Sequence, residues 1–235
     1  LGVVTGGGER REVEVRPLGG GAIANLAYRD WVYEQTEYVE RISNGRLGYV
    51  HIKAMGLEDL NQFLIDLDTE AHSKEGVVVD VRYNGGGHIA TFILDVLAKR
   101  DYLSSTYRGK IKTSSANLAG DRILGKPTVL LTNEHSGSNA EMFSEGYRRL
   151  GLGKVVGTPT MGAVIWTGSW SLLDGTTFRH PYIRVSAEGD ENLELAPRVV
   201  DIHVERSPGE NAKGVDSQMD QAVEVLIEQI DSNRK

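Results

Sequence analysis

The run Gly-Val-Val-Val-Asp-Val-Arg-Tyr at 76–83 constrains the fold more than any other stretch of this chain. It is almost continuous in β-branched residues and lacks the in–out alternation of a strand with one face in water. Such a run suits a strand buried on both faces, as in a parallel sheet covered by helices on either side. Pro-Thr-Val-Leu-Leu-Thr at 127–132 repeats the signal. Both runs end in strand-breaking residues: Asn84-Gly85-Gly86-Gly87 after the first, and a polar loop at 133–137 after the second.

Helical periodicity fills much of the remaining chain. The spacing of apolar residues predicts helices over 27–43, 57–73, 88–98, 138–150 and 215–231. Further strands are expected at 47–53, 154–157, 164–167, 169–173, 177–185 and 199–204. Strands alternating with helices define an α/β class with a mainly parallel sheet flanked by helices. The start is different. Period-two alternation in Glu-Val-Glu-Val-Arg-Pro-Leu at 12–18 reads as a strand, ended by the glycines at 19–21. Residues 104–121 are polar and poorly periodic, which suggests a loop over a site. The chain begins with Leu1 and reads as a piece of something longer.

Composition narrows the partners. Lys and Arg number 26 against 33 Asp and Glu, a net charge of −7. That balance argues against nucleic acid or an anionic membrane as the main partner. No apolar run approaches the roughly 20 residues of a membrane helix. The absence of cysteine excludes disulfides, thiolate nucleophiles and thiolate metal sites.

Two strand-to-helix junctions carry candidate chemistry. At the first, glycines at 85–87 allow a tight turn whose amides, at a helix start, can face a negative oxygen. A glycine-rich turn can also be no more than a turn. At the second, Ser138 follows Gly137 at the mouth of a buried strand and opens a helix. A hydroxyl there suits a nucleophile, with the Asn139 amide beside it to donate to an oxyanion. Ser138-Asn139-Ala140-Glu141 is equally a capping box, in which the serine and the glutamate only tie off the helix. The local pattern leaves both readings open.

The two junctions in this order, with their flanks, resemble the tricorn-type serine peptidases. GVVVDVRYNGGGH at 76–88 is similar to that family's oxyanion strand and turn, and NEHSGSNAEMFSEG to its nucleophile segment. LGLGKVVGTPTMGAVI, WSLLDGTTFRHP and VDSQMDQAVEVLIEQI resemble the stretches that follow in the family. The resemblance covers 27–235, and residues 1–20 look like the terminal strands of the PDZ-like module that precedes the catalytic core, here 21–235. It implies a crotonase/ClpP-like α/β fold. It also implies peptide-bond hydrolysis through Ser138 and an oxyanion hole from the amides of Asn139 and Gly87, or Gly86. The acid that orients the catalytic histidine would be Glu191, with Glu194 the fallback. No metal or organic cofactor is implied. The implied substrates are oligopeptides or unfolded polypeptides, the implied assembly a homo-oligomer, and the expected location cytoplasmic. C-terminal-processing relatives use a lysine base about two dozen residues past the serine. Thr158 to Ala163 lacks one, and Lys154 sits beside a predicted strand.

A serine needs a base to take its proton. In the family that histidine lies upstream of the PDZ-like module and is expected outside this sequence. Among the six histidines, His88 and His135 are the internal candidates. His51 is expected to be buried in a strand, His72 solvated at a helix end, and His180 and His203 on strands. Two other readings stay open: a peptide-binding module that keeps the groove without turnover, and an acyl-CoA enzyme of the crotonase type.

Overall fold

The chain opens with an antiparallel pair, β1 (Gly2–Val4) and β2 (Arg10–Glu12), followed by the long helix α1 (Gly20–Ile42). The strand expected at 12–18 is confined to its first residue. An extended segment counts as a strand only where a neighbour takes its hydrogen bonds, and this ladder ends at the mutual Leu1–Val13 pair, 2.8 and 2.9 Å. The glycines expected to end a strand instead begin a helix. The Gly19 carbonyl accepts the N–H groups of Ala22 and Ile23. By compactness the chain divides into Leu1–Gln35 and Thr36–Lys235. The structure is a computed structural model describing residues 1–71, 73–100, 103–106, 108–114 and 124–234. His72 and much of the expected loop at 104–121 lie outside the described residues.

The second unit runs β3 (Leu47–His51), α2 (Leu57–Ala71), β4 (Gly76–Asp80), α3 (Ala90–Ala98), β5 (Ser104–Thr106), β6 (Lys112–Ser114) and β7 (Thr128–Thr132). It continues through α4 (Asn139–Arg149), β8 (Gly153–Gly157), β9 (Trp166–Ser171), β10 (Thr177–Ile183), β11 (Ile202–His203) and α5 (Ser217–Asn233). Five of these strands form one sheet in the order β11-β8-β7-β4-β3, each pair parallel. Every residue of β3, β4 and β7 is buried, as their lack of alternation predicts. The register sets Val50, Val79, Leu130 and Val155 side by side across the sheet. That row packs with Phe63 and Leu67 of α2, Ile93 of α3 and Phe143 of α4. Burying each such side chain contributes about 1.5–3 kcal/mol. On the opposite face lies α5. A methyl group on Gly76 would meet Ile230 at 3.1 Å and Leu226 at 3.2 Å.

The strands expected at 164–167 and 169–173 are one strand, β9, paired antiparallel with β10. Gly168 reads as a break in the sequence, but its place opposite His180 keeps the ladder intact. Among the described residues no helix is long and apolar enough to cross a membrane.

Parallel strands present all their C-terminal ends at one edge of the sheet. Ligands of open α/β sheets bind at that edge, and both candidate junctions leave from it: the glycine turn after β4 and the Ser138 loop after β7.

Candidate active site

Asn133, buried at the end of β7, organises this edge. Its Oδ1 accepts the N–H groups of Tyr83 at 3.0 Å and His135 at 3.1 Å, so one side chain fixes both turns. The Ser136 hydroxyl donates to the Val81 carbonyl at 2.8 Å. The Gly137 N–H donates to the Asn84 carbonyl at 2.9 Å. The Asn84 side chain spans the glycine turn, accepting from the Gly86 N–H at 2.9 Å and donating to the Ile52 carbonyl at 2.8 Å. The Asn139 Oδ1 accepts the Ala90 N–H, 2.9 Å, and ties the start of α4 to the start of α3.

This lacing brings the residues of the two junctions together. A methyl group on Gly86 would lie 2.6 Å from Ser138 Cβ, 2.9 Å from the Asn139 nitrogen and 2.9 Å from the Gly137 carbonyl oxygen. Gly86 has φ +98°, open to glycine and strained for other residues. Its own N–H is taken by Asn84. The neighbouring Gly87 is fixed by its flanks: the Gly86 carbonyl accepts from Met55, and the His88 N–H donates to the Met55 carbonyl at 2.7 Å. Among the described residues none accepts the N–H of Gly87 or of Asn139. Gly86 is the close-packed contact between this turn and the start of α4.

Ser138 sits at φ +54°, a conformation that L-residues with a side chain seldom adopt. Such strain collects where a site needs a particular side-chain direction. The capping-box pair with Glu141 is present. The Glu141 N–H donates to the Ser138 carbonyl at 2.9 Å, so the hydroxyl is at most a secondary acceptor. Glu141 is fully buried and does more than close a helix. Its carboxylate accepts the N–H groups of Ser138 (2.9 Å), Gly162 (2.6 Å) and Ala163 (2.8 Å), and the Thr160 hydroxyl at 2.7 Å. It clamps the strap at 160–163 against the serine, whose N–H also donates to the Ala163 carbonyl at 2.9 Å. The capping motif was the only trace of this in the sequence, because the strap lies some twenty residues away.

The two candidate acids lie on one loop with different partners. Glu191 pairs with Arg149 at the far end of α4, at 2.6 Å and largely exposed. Glu194 Oε2 accepts the N–H groups of Val164 and Ile165 at 2.8 and 2.7 Å, directly beyond the strap that touches Ser138. Among the described residues no histidine hydrogen-bonds to Ser138. His88 is exposed. His135 stacks on Tyr83, ring centroids 5.6 Å apart, with Nε2 3.6 Å from Glu134. His51 is buried with Nε2 3.0 Å from the Arg82 carbonyl, and burial holds its imidazole below the usual range.

Beneath the site lies a buried ion cluster the sequence did not disclose. Arg82 reaches Asp80 at 2.7 Å and Asp216 at 2.8 Å, joining the end of β4 to the first turn of α5. Asp216 also caps that helix through the Met219 N–H at 3.1 Å. Burial alone would raise the Asp80 carboxyl, but the Arg82 charge outweighs it and the net shift is downward.

The chain belongs to peptidase family S41, whose pattern it matches over residues 46–204. Within that family it is similar to tricorn protease. It is 34% identical to the Thermoplasma acidophilum tricorn protease over 95% of this chain and 20% of the relative. It is 36% identical to tricorn protease homolog 1 of Streptomyces coelicolor, again over 95% of this chain and 20% of the relative. A crystal structure of the tricorn protease superposes with TM-score 0.84 at 30% identity, covering 96% of this chain and 22% of that one. The α/β fold with its parallel sheet is therefore that of the S41 peptidases. The chain spans about a fifth of the length of these relatives.

Proposed function

We propose that this chain carries the nucleophile and the oxyanion hole of a serine peptidase that hydrolyses oligopeptides or unfolded polypeptides. The observation carrying the proposal is the contact of the strained Ser138 and the Asn139 nitrogen with Gly86, at a junction where the N–H groups of Gly87 and Asn139 have no acceptor among the described residues. In this reading the Ser138 hydroxyl attacks the peptide carbonyl as a base takes its proton. The carbonyl oxygen becomes the oxyanion held by the two amides. Collapse expels the amine, which receives that proton, and leaves an acyl-enzyme for water to release. The base is a histidine from outside this sequence. Between the two acids, Glu194 is favoured to orient it: its Oε2 is spent on the strap beside Ser138, while Oε1 has no donor among the described residues. Glu191 is engaged by Arg149. Residues 1–20 as the tail of a PDZ-like module, homo-oligomeric assembly and a cytoplasmic location belong to the same proposal.

Fluorophosphonate labelling followed by intact mass tests it, on this chain and on the complete protein side by side. A single adduct on Ser138 in the complete protein, lost in Ser138→Ala, is expected. An adduct on this chain alone would make His88 or His135 the base. No adduct in either would favour the non-catalytic peptide-binding reading, which is supported by the finding that among the described residues no histidine hydrogen-bonds to Ser138.

A further inference from the structure

With no cysteine in the chain, its sulfur lies in four methionines, Met55, Met142, Met161 and Met219. Met55 and Met219 are fully buried. Met142 is partly buried, and the Asn139 side-chain amide donates to its sulfur at 3.3 Å. Met161 differs from all three: it is 50% exposed. It belongs to the strap at 160–163 that Glu141 clamps against Ser138. No step of the hydrolysis described above uses it.

The Met161 side chain is exposed without being free. Its backbone is pinned, the N–H donating to the Ser136 carbonyl at 3.0 Å. Its side chain folds back over Gly137. A methyl group on Gly137 would lie 3.1 Å from Met161 Sδ, 3.2 Å from Cε and 3.7 Å from Cβ. The thioether therefore rests against the residue that leads into the strained Ser138. Half-exposure admits an oxidant, and the contact with Gly137 makes the result felt at the site.

Oxidation turns a flexible apolar thioether into a polar sulfoxide. The new oxygen needs a hydrogen-bond donor, and the backbone donors beside it are spent. The Gly137 N–H goes to the Asn84 carbonyl at 2.9 Å, and the Ser138 N–H to the Ala163 carbonyl and to Glu141, both at 2.9 Å. A sulfoxide must press an unpaired oxygen on Gly137 or turn to water and lift off it. Either movement is passed on, because the strap and the serine share Glu141 and the Ala163 contact.

We propose that Met161 is a redox modification site: a peroxide oxidises its sulfur, and the sulfoxide slows the reaction of Ser138 until a thiol-dependent reductase removes the oxygen as water. The sulfur lone pair attacks one peroxide oxygen. An S–O bond forms as the O–O bond breaks, the sulfur gives up two electrons, and hydrogen peroxide leaves as water. The coupling to Ser138 rests on the reading of that residue as the nucleophile.

The complete protein and its Met161→Leu variant are titrated with hydrogen peroxide, shown folded by thermal melting, and digested for peptide mass mapping. The second-order rate of fluorophosphonate addition to Ser138 is followed at each dose, each protein against its own untreated rate. Met161 should take up oxygen first, ahead of Met142. The parent's rate should fall roughly threefold to tenfold in step with the oxidised fraction of Met161, well short of the roughly 100-fold cost of a 1 Å misplacement because Glu141 keeps its hold on the strap. Methionine sulfoxide reductases A and B with dithiothreitol, one enzyme for each epimer, should restore the rate. Met161→Leu should hold its own rate through the same doses. Oxidation of another methionine first, or an equal loss in Met161→Leu, would refute the proposal. An unchanged rate once Met161 is oxidised would refute the coupling and leave the nucleophile reading standing. No Ser138 adduct before any peroxide is added would overturn the nucleophile reading and the coupling with it, while the mass map still shows whether Met161 is oxidised first.

Discussion

The three glycines of the turn after β4 are alike in sequence and unlike in space, and that difference can be measured. Gly85 has no heavy atom within 4 Å of a methyl group placed on it. Gly86 would bring a methyl within 2.6 Å of Ser138 Cβ and 2.9 Å of the Asn139 nitrogen. Carbon atoms in contact sit about 3.5–4.0 Å apart, so Gly86→Ala must separate the turn from the serine by about 1 Å. A 1 Å misplacement of reacting groups costs about 100-fold in rate. The φ of +98° adds backbone strain, and strain with overpacking together cost about 2 kcal/mol. For a chain of this size that lowers Tm by about 4–8 °C. Gly85→Ala should change Tm by about 2 °C or less and keep full reactivity. The assay is the second-order rate of fluorophosphonate addition to Ser138 in the complete protein, followed by mass, alongside a thermal melt of each variant. A Gly86→Ala rate within about threefold of the parent would refute the argument that Gly86 sets the spacing between its turn and Ser138.

Other expectations follow from the same contacts. Arg82→Met leaves Asp80 buried without its cation and Asp216 with only the more distant Arg206, and should cost about 3–5 kcal/mol in urea unfolding; a loss below about 1 kcal/mol would mean that the cluster does not hold α5 to the sheet. Burial depresses His51, so the native state keeps it neutral while the unfolded chain binds a proton near its ordinary value of 6.5. That stability is present above this pH and drains away as pH falls below it, by up to about 1.4 kcal/mol per pH unit. His51→Gln should flatten the difference between pH 6.5 and 5, and parallel stability curves would contradict it. Glu194→Gln should slow turnover of the complete protein by at least about tenfold, from the loss of a charge that orients and stabilises the base. Glu191→Gln should slow it by about twofold or less, and the opposite order would return the orienting role to Glu191.

Much of the fold was legible because it is written locally. The runs at 76–83 and 127–132 are continuous in β-branched or aliphatic residues because both faces of β4 and β7 are covered, and that requirement needs no knowledge of the partner. The helices followed from periodicity for the same reason. What failed depended on a partner. The alternation at 12–18 gave the propensity of a strand but not the length of the ladder beside it. Gly168 looked like a break until His180 was set opposite. The site divides in the same way. Ser138 and the glycine turn could be nominated from strand-to-turn chemistry and from resemblance, but the contact of Gly86 with Ser138 rests on the pairing of β4 with β7. The wider reach of Glu141, the Arg82 cluster with Asp216 and the Tyr83–His135 stack join residues distant in sequence, and no short pattern announces them.

The placement of the glycine turn and Ser138 just past the ends of adjacent parallel strands has a consequence for how such a chain can diversify. Their spacing is set by a hydrogen-bonded register, Val79 against Leu130 and Asp80 against Leu131, and not by any connecting loop. The hairpin of β9 and β10, which takes no part in that register, can lengthen, shrink or change sequence without moving either strand. Selectivity can drift while the chemistry stays in register.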